Sequence, residues 1–364
     1  MSSQPLRLRC FFVVFSILLL LGVFFYFGFW LKFLSAALLS IIISGVIFFS
    51  QFKSKIPAVK KTPALLIILV FNILFIVCLR SSVFSVYHIP TNSMENALVP
   101  GDVVLVDTHI SRDTNSSSFE NQVLSRNDII VFHSASNIPL VKRCVGLAGD
   151  VITIKKSEVY INNRLFDESN QVMHKYLIKL SNPIEFKKSL ALDNAVNYED
   201  LKRISQYDFE ANLTKEAAEN IAYFNGVVKV SVLLDAVNTE DSLFFKDIHS
   251  SWSPDHMGPI KIPEKGMTIQ LNQANYLIYH KLIETYEKAI VIKRGDKFFT
   301  NAKEINSYTF KKDYCFLLGD NRSSSRDSRF IGCIPEGQII GKVKLVLYST
   351  KEDYFDWSRY LKII

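Results

Sequence analysis

The sequence predicts a mainly β domain with an inserted mixed α/β subdomain, standing behind an N-terminal anchor of three transmembrane helices. Three observations lead there. The first 80 residues are strongly apolar and contain no acid; short β-branched runs separated by turn residues mark 81–165 and 298–364; and helical patterning enters between them, in 166–297. These bounds divide the chain into an anchor, a β domain in two halves, and an insert.

Charge decides how the basic balance is read. The 364 residues carry a net charge of +7, but residues 1–80 hold eight of the 42 Lys and Arg and none of the 35 Asp and Glu, which leaves 34 bases against 35 acids beyond. The excess belongs to the anchor. A basic groove for nucleic acid therefore loses most of its support, and nucleic acid is not an expected partner.

Within the anchor, apolar stretches run over 11–31, 33–50 and 63–79. The first, at about 1.5 Å per residue, reaches about 31 Å, enough to cross a hydrocarbon core of about 30 Å. A cleaved secretory leader is the lesser reading, because leader cores run to about 7 to 15 residues and a second long apolar run follows here. The third stretch is short and interrupted by Asn72, with Arg80 placed to snorkel from its end. Arg7 and Arg9 precede the first stretch, and Lys53, Lys55, Lys60 and Lys61 fill the loop before the third. By the positive-inside rule both basic segments are cytoplasmic. If all three stretches span, everything after Arg80 lies outside the cytoplasm; if the third only lies in the interface, the large domain is inside.

Beyond the anchor, Val103–Val106, Ile129–Phe132, Val151–Ile154 and Val343–Tyr348 are short β-branched or apolar runs. Turn residues at Pro100-Gly101-Asp102, Asn127-Asp128, Gly149-Asp150 and Asn162-Asn163 punctuate them. That spacing suits a compact sheet or barrel-like domain. In the insert, Tyr198–Gln206, Leu213–Phe224 and Asn272–Ala289 read as helices, with Asn272 available as an N-cap.

Two motifs suggest chemistry. Ile89-Pro90-Thr91-Asn92-Ser93-Met94-Glu95 lies just past the anchor, and Leu140-Val141-Lys142-Arg143-Cys144-Val145-Gly146 follows within the β half. A serine is a weak nucleophile without a base, and a lysine serves as base only when neutral, which burial among apolar residues promotes. Two further segments complete a series: Ser125-Arg126-Asn127-Asp128-Ile129-Ile130-Val131-Phe132, and Gly319-Asp320-Asn321-Arg322 with Asp327-Ser328-Arg329-Phe330-Ile331-Gly332. In this order behind an anchor, the four segments resemble the bacterial type I signal peptidases, or leader peptidases, a family of membrane-bound Ser/Lys proteases. The likeness covers roughly residues 84–164 and 298–349.

The resemblance implies a signal-peptidase-like fold and a serine endopeptidase that cleaves signal peptides from secretory preproteins. It implies a place on the outer face of the bacterial inner membrane, in contact with lipid. It assigns Ser93 as nucleophile, Lys142 as base, the Ser93 N–H and Thr91 hydroxyl as oxyanion hole, Ser325 as the residue orienting the lysine, and Asp327 with Arg329 as a structural ion pair. Ile89, Val131 and Phe132 are candidates to line shallow pockets for small substrate side chains. The chain departs from the family at Asn92 and Asn127, where glycine is frequent, and at Ser323-Ser324, where Asp-Asn is familiar. Asparagine tolerates positive φ better than most residues.

Other constellations point elsewhere or nowhere. The seven histidines, His88 and His256 among them, show no metal-ligand spacing, and no glycine-rich phosphate loop occurs, so neither metal nor cofactor is expected. Cys144, Cys315 and Cys333 form no paired framework and read as buried thiols. The tail Tyr354-Phe355-Asp356-Trp357 reads as a terminal packing element before it reads as a lipid contact. Two other classes fit parts of the pattern: a catalytically silent envelope protein that holds peptides, and a self-cleaving Ser/Lys regulator, against which the three apolar stretches count.

Overall fold

The computed structural model describes residues 84–108, 123–192, 201–234, 244, 252–351 and 354–364. Apart from Phe84 and Ser85 they fall in one compact unit, 86–112 and 123–364. The three apolar stretches at 11–31, 33–50 and 63–79 lie outside the described residues. Among those described, no helix is long and apolar enough to cross a membrane.

The architecture is mainly β. In chain order the first half contributes β1 (Phe84–His88), β2 (Asp102–Asp107), β3 (Ile129–His133), β4 (Pro139–Gly146), β5 (Val151–Lys155), β6 (Glu158–Ile161) and β7 (Arg164–Leu165). The middle adds β8 (Met173–Leu180), helix α1 (Pro183–Leu192), β9 (Lys202–Arg203), β10 (Asp208–Thr214), helix α2 (Lys215–Ala222), β11 (Val227–Val232), β12 (His256–Lys261), β13 (Thr268–Gln270) and helix α3 (Gln273–Leu282). Then come β14 (Ile292–Arg294), β15 (Lys297–Thr300), β16 (Lys303–Ile305), β17 (Ser307–Thr309), β18 (Tyr314–Leu318), helix α4 (Ser328–Ile331), β19 (Ile334–Pro335), β20 (Ile339–Lys351), β21 (Tyr354–Phe355) and β22 (Lys362–Ile363).

Among the described residues the largest sheet has nine strands, in the order β1-β2-β20-β3-β4-β18-β19 with β21 and β22 on β20. All four apolar runs expected to be strands fall within β2, β3, β5 and β20. The long β20 brings the C-terminal half between two N-terminal strands: Leu105 faces Leu345 on one side and Ile130 faces Lys342 on the other. β3 is covered on both faces. Ile130 and Phe132 enter a large core with Cys144, Phe316 and Leu317, while Ile129 and Val131 enter a second core with Ile89, Met94, Leu98 and Val343. Each such large side chain contributes roughly 1.5–3 kcal/mol of burial.

The turn residues do what their chemistry allows. Asn127 has φ 69° and the Asn162–Asn163 pair 51° and 64°, so all three sit in the left-handed region that asparagine tolerates. Gly101 has φ 95°, and a Cβ there would lie 1.9 Å from the Thr350 carbonyl oxygen, so the turn into β2 admits no side chain.

A separate sheet, β11-β8-β10-β9, carries its own core: Tyr176, Ile178 and Leu180 of β8 and Phe209, Ala211 and Leu213 of β10 pack with Phe186, Leu190 and Ile221 of the helices. α2 matches the helix expected over Leu213–Phe224, capped by the Thr214 hydroxyl accepting from Ala217 N–H at 3.1 Å. Asn272 caps α3 in the same way, accepting from Asn275 N–H at 2.8 Å. The helix expected over Tyr198–Gln206 is not there in its described part. Lys202 and Arg203 instead pair with Glu210 and Phe209, and Ser205 closes the hairpin by accepting from the Tyr207 and Asp208 N–H groups. Serine's turn chemistry prevails over the helical spacing. α1 was not expected, although Asn182-Pro183 signals it: the Asn182 side chain accepts from the Ile184 and Glu185 N–H groups, with proline in the first turn. From the same middle region, β12 pairs with β5, setting Met257 against Ile154 and Ile260 against Ile152.

The C-terminus packs back on the large sheet. β21 pairs with β20, and Arg359 forms a two-pronged ion pair with buried Asp102 at 2.8 and 2.6 Å while donating to the Ala97 carbonyl at 2.9 Å. Tyr354 and Trp357 nonetheless stay largely exposed. Removing one partner of a buried pair leaves an uncompensated charge. Arg359→Ala is therefore expected to lower stability by about 3–5 kcal/mol, read by urea unfolding; a loss below about 1 kcal/mol, the range of surface pairs, would count against this account.

Candidate active site

The site is built on the turn between β1 and β2 and on the middle of β4. Ile89 N–H donates to Asp102 O at 2.8 Å and Gly101 N–H to Ile89 O at 2.9 Å, so the turn is tied off at its base. Within it, Asn92–Met94 form one 3-10 turn. Met94 drops into the core with Ala97 and Leu98, which leaves the neighbouring Ser93 on the turn's outer side, half-buried. Asn92 is helical here, so the position needs no positive φ and glycine is not demanded.

Lys142 reaches this turn from β4, where it faces Ile130 of β3. Its Nζ lies 2.8 Å from Ser93 Oγ and 2.7 Å from the Val141 carbonyl oxygen. The side chain is 3% exposed. Burial pushes the amine down from its ordinary 10.5 to about 8, against the opposing pull of the Asp327 and Asp320 carboxylates. Desolvation disfavours the ammonium form more strongly than those charges favour it.

The segment 319–329 closes the site from below. Asn321 N–H donates to the Ser93 carbonyl oxygen at 3.1 Å, and its side chain donates to Glu95 at 3.0 Å. A Cβ on Gly319 would sit 2.6 Å from that same Ser93 oxygen and 2.0 Å from Ser325 Oγ, so glycine is required by close approach. Asp327 and Arg329, both buried, form the expected pair with Nε–Oδ1 2.8 Å and Nη2–Oδ2 2.9 Å. Burial alone would raise the Asp327 carboxyl, but Arg329 and the Gly319 N–H hold it below its ordinary value.

The other expected site residues divide. Thr91 is exposed, with Oγ1 3.4 Å from Ser93 Oγ. Ser325 is buried beside Gly319, and its hydroxyl makes no hydrogen bond, so the expected bond to Lys142 is not formed. Ile89, Val131 and Phe132 are 3%, 0% and 0% exposed and belong to the two cores on opposite sides of β3. Buried in this way they pack in the cores instead of lining an open pocket, which corrects their assignment as pocket residues. Cys144, Cys315 and Cys333 are free and buried.

Two charged pairs went unforeseen. Arg143 binds Asp320 through two bonds of 2.7 and 2.5 Å and donates to Asn127 O at 2.7 Å. Arg322 lies 2.7 Å from Glu168. Opposite charges in the Lys142-Arg143 and Gly319-Asp320 segments were the available signal for the first; nothing local marked the second.

A hydroxyl held against a desolvated amine suits nucleophilic acyl transfer. A family profile described as "Signal peptidase, peptidase S26" matches residues 62–206 and 285–348, more than half of the chain. The chain belongs to this signal peptidase family. Membership makes it a serine endopeptidase related to the bacterial type I signal peptidases. Signal peptidase I of Buchnera aphidicola subsp. Schizaphis graminum is 27% identical over 305 residues, covering 80% of this chain and 76% of its own. Signal peptidase I of Buchnera aphidicola subsp. Baizongia pistaciae is 28% identical over 291 residues, covering 76% and 74%. A crystal structure of a signal peptidase I from Enterococcus faecalis aligns over 60% of this chain and 95% of its own at 16% identity, with a TM-score of 0.23.

The lowered amine has a thermodynamic consequence. The unfolded chain holds the Lys142 proton up to about 10.5, and the folded one only to about 8. Below both values the charged lysine costs the fold about 3 kcal/mol, and that cost fades as pH rises from about 8 to 10.5. Lys142→Met is expected to be more stable than the parent at pH 7 by up to about 3 kcal/mol, with the gap closing as pH rises through that interval. Urea unfolding in detergent at a series of pH values measures it, and a gap that does not change with pH would contradict the assignment.

Proposed function

We propose that this signal peptidase family member is a membrane-anchored endopeptidase that removes signal peptides from exported preproteins with a Ser93/Lys142 dyad. The observation that carries the reading is the 2.8 Å contact between Lys142 Nζ and Ser93 Oγ, made by an amine that burial brings to about 8. At pH 7 about a tenth of such lysines are neutral, enough to serve as base.

In this mechanism neutral Lys142 takes the Ser93 proton as Oγ attacks the scissile carbonyl. The oxyanion is met by the Ser93 N–H and the Thr91 hydroxyl. The Lys142 ammonium then protonates the leaving amine, and a water activated by the same lysine hydrolyses the acyl-enzyme. Ser325 would take the orienting role in the reacting state: its buried hydroxyl makes no bond to Lys142 here, but having no partner it has capacity for a proton of the Lys142 ammonium. Asp327 and Arg329 hold the loop beneath. No cofactor enters. The substrate would lie extended along β1, an edge of the large sheet, in the manner of an added strand.

The anchor of three spanning helices, 11–31, 33–50 and 63–79, is part of the same proposal. The acid-free composition and the basic segments around the stretches support a cytoplasmic N-terminus and a catalytic domain outside the bacterial inner membrane, where preproteins and lipid are its partners. The catalytic domain would comprise 81–165 and 298–364, with 166–297 inserted; the separate core shared by β8, β10, α1 and α2 supports a unit of its own within the insert, whereas Met257, Ile260, Tyr279 and Leu282 of the same insert pack in the large core with Ile130 and Cys144.

Ser93→Ala and Lys142→Ala are each expected to leave a folded, membrane-bound protein whose preprotein cleavage, followed by mass mapping of the product ends, falls at least about a thousandfold. Normal processing by either variant ends the dyad assignment. Thr91→Val is expected to lower kcat about 100- to 1000-fold with the lysine limb of the pH profile unmoved; a wild-type kcat would remove Thr91 from the oxyanion hole.

A further inference from the structure

The segment Asp167–His174, which leads into β8, touches three parts of the site at once. The Asp167 carbonyl accepts from Asn127 Nδ2 at 3.4 Å, and the Gln171 carbonyl from Asn96 Nδ2 at 3.2 Å, just past the Ser93 turn. Met173 N–H donates to the Asp320 carbonyl at 2.8 Å and bridges Asn321 as a parallel β-pair. From β10, Asn212 accepts the Ser323 hydroxyl at 2.7 Å. The loop 319–325 is thus gripped from the middle region of the chain, while its Asn321 N–H grips Ser93.

Glu168 supplies the charged link in this grip. Its Oε1 lies 2.7 Å from Arg322 Nη2, with His174 facing it at 3.5 Å. Burial would raise the Glu168 carboxyl, but Arg322, then His174, hold it at about 2, so it stays charged wherever the enzyme works. Arg322 is 7% exposed, donates Nε to the Gly319 carbonyl at 3.1 Å, and offers its own carbonyl to Arg329 Nη2 at 2.6 Å. A buried guanidinium that loses its counterion moves toward water or admits water. Either movement pulls on Gly319, on Arg329 with its partner Asp327, and through Asn321 on Ser93.

We propose that Glu168 is a positioning residue for peptide hydrolysis: by neutralising Arg322 it fixes the 319–325 loop against the Ser93 backbone, so the segment entering β8 sets turnover without touching substrate. The proposal rests on Ser93 as nucleophile and Lys142 as base. A role confined to stability would lower the amount of active enzyme and nothing else. A role in positioning changes the reacting geometry and the water around Lys142, which Asp320 and Asp327 face.

The test uses the full chain in detergent with a preprotein substrate, comparing wild type, Glu168→Gln, Glu168→Asp and Ser93→Ala between about pH 6 and about pH 10. Glu168→Gln is expected to lose about tenfold in kcat with KM changed less than about twofold. Its acid limb should move to higher pH as water reaches the lysine, and Glu168→Asp should recover part of both. A folded Glu168→Gln enzyme with wild-type kcat and acid limb overturns the proposal. So does a loss that matches its unfolded fraction in a thermal melt while the limb stays in place. If Glu168→Gln does not fold, the same two readings on Glu168→Asp decide. Cleavage by Ser93→Ala would instead overturn the nucleophile assignment.

Discussion

A lysine amine 2.8 Å from a serine hydroxyl, and dry enough to lose its proton near neutrality, is the constraint on which the rest of this structure depends. Drying a lysine is simple; drying it beside two carboxylates is not, because each would restore the charge. The fold answers by giving each carboxylate its own arginine. Arg329 takes Asp327 and Arg143 takes Asp320, both through paired hydrogen bonds in buried settings. The carboxylates can then orient loops and accept backbone N–H groups while desolvation still dominates the lysine.

The elements that meet this requirement come from distant parts of the chain. Ser93 rides on a turn pinned by Met94, Lys142 on a strand between β3 and β18, and the 319–329 segment supplies both the Asn321 N–H and the glycine that lets backbones meet. No single helix or strand presents the set. The large sheet performs the alignment, since β20 joins β2 to β3 and so ties the serine turn to the lysine strand. The middle region then contacts the same loops, so its small separate core is not merely appended.

How much of this could be read from sequence depended on whether the determinant was local. The Ser93 and Lys142 segments, the turn at Asn127 and the cap at Asn272 are short-range signals, and each could be recognised in place. β3 was legible as a strand but not in its facing: with both sides covered, Val131 and Phe132 alternate between two cores, and alternation no longer distinguishes core from cleft. The hairpin at Lys202–Phe209 imitated helical spacing until Ser205 and its partners closed the turn. The remote ion pair of Glu168 with Arg322 leaves no trace in a single sequence, because outside a recognised segment any acid could pair with any base.

The pair between Arg359 and Asp102 spans 257 positions and buries both charges under the serine turn. Ribosomal synthesis runs in one direction, so Asp102 emerges 257 positions before its counterion, and until then the base of that turn is incomplete. The Ser93 turn can therefore be tied off at its base only after Arg359 has been made, so completion of that turn trails the synthesis of Ser93 itself.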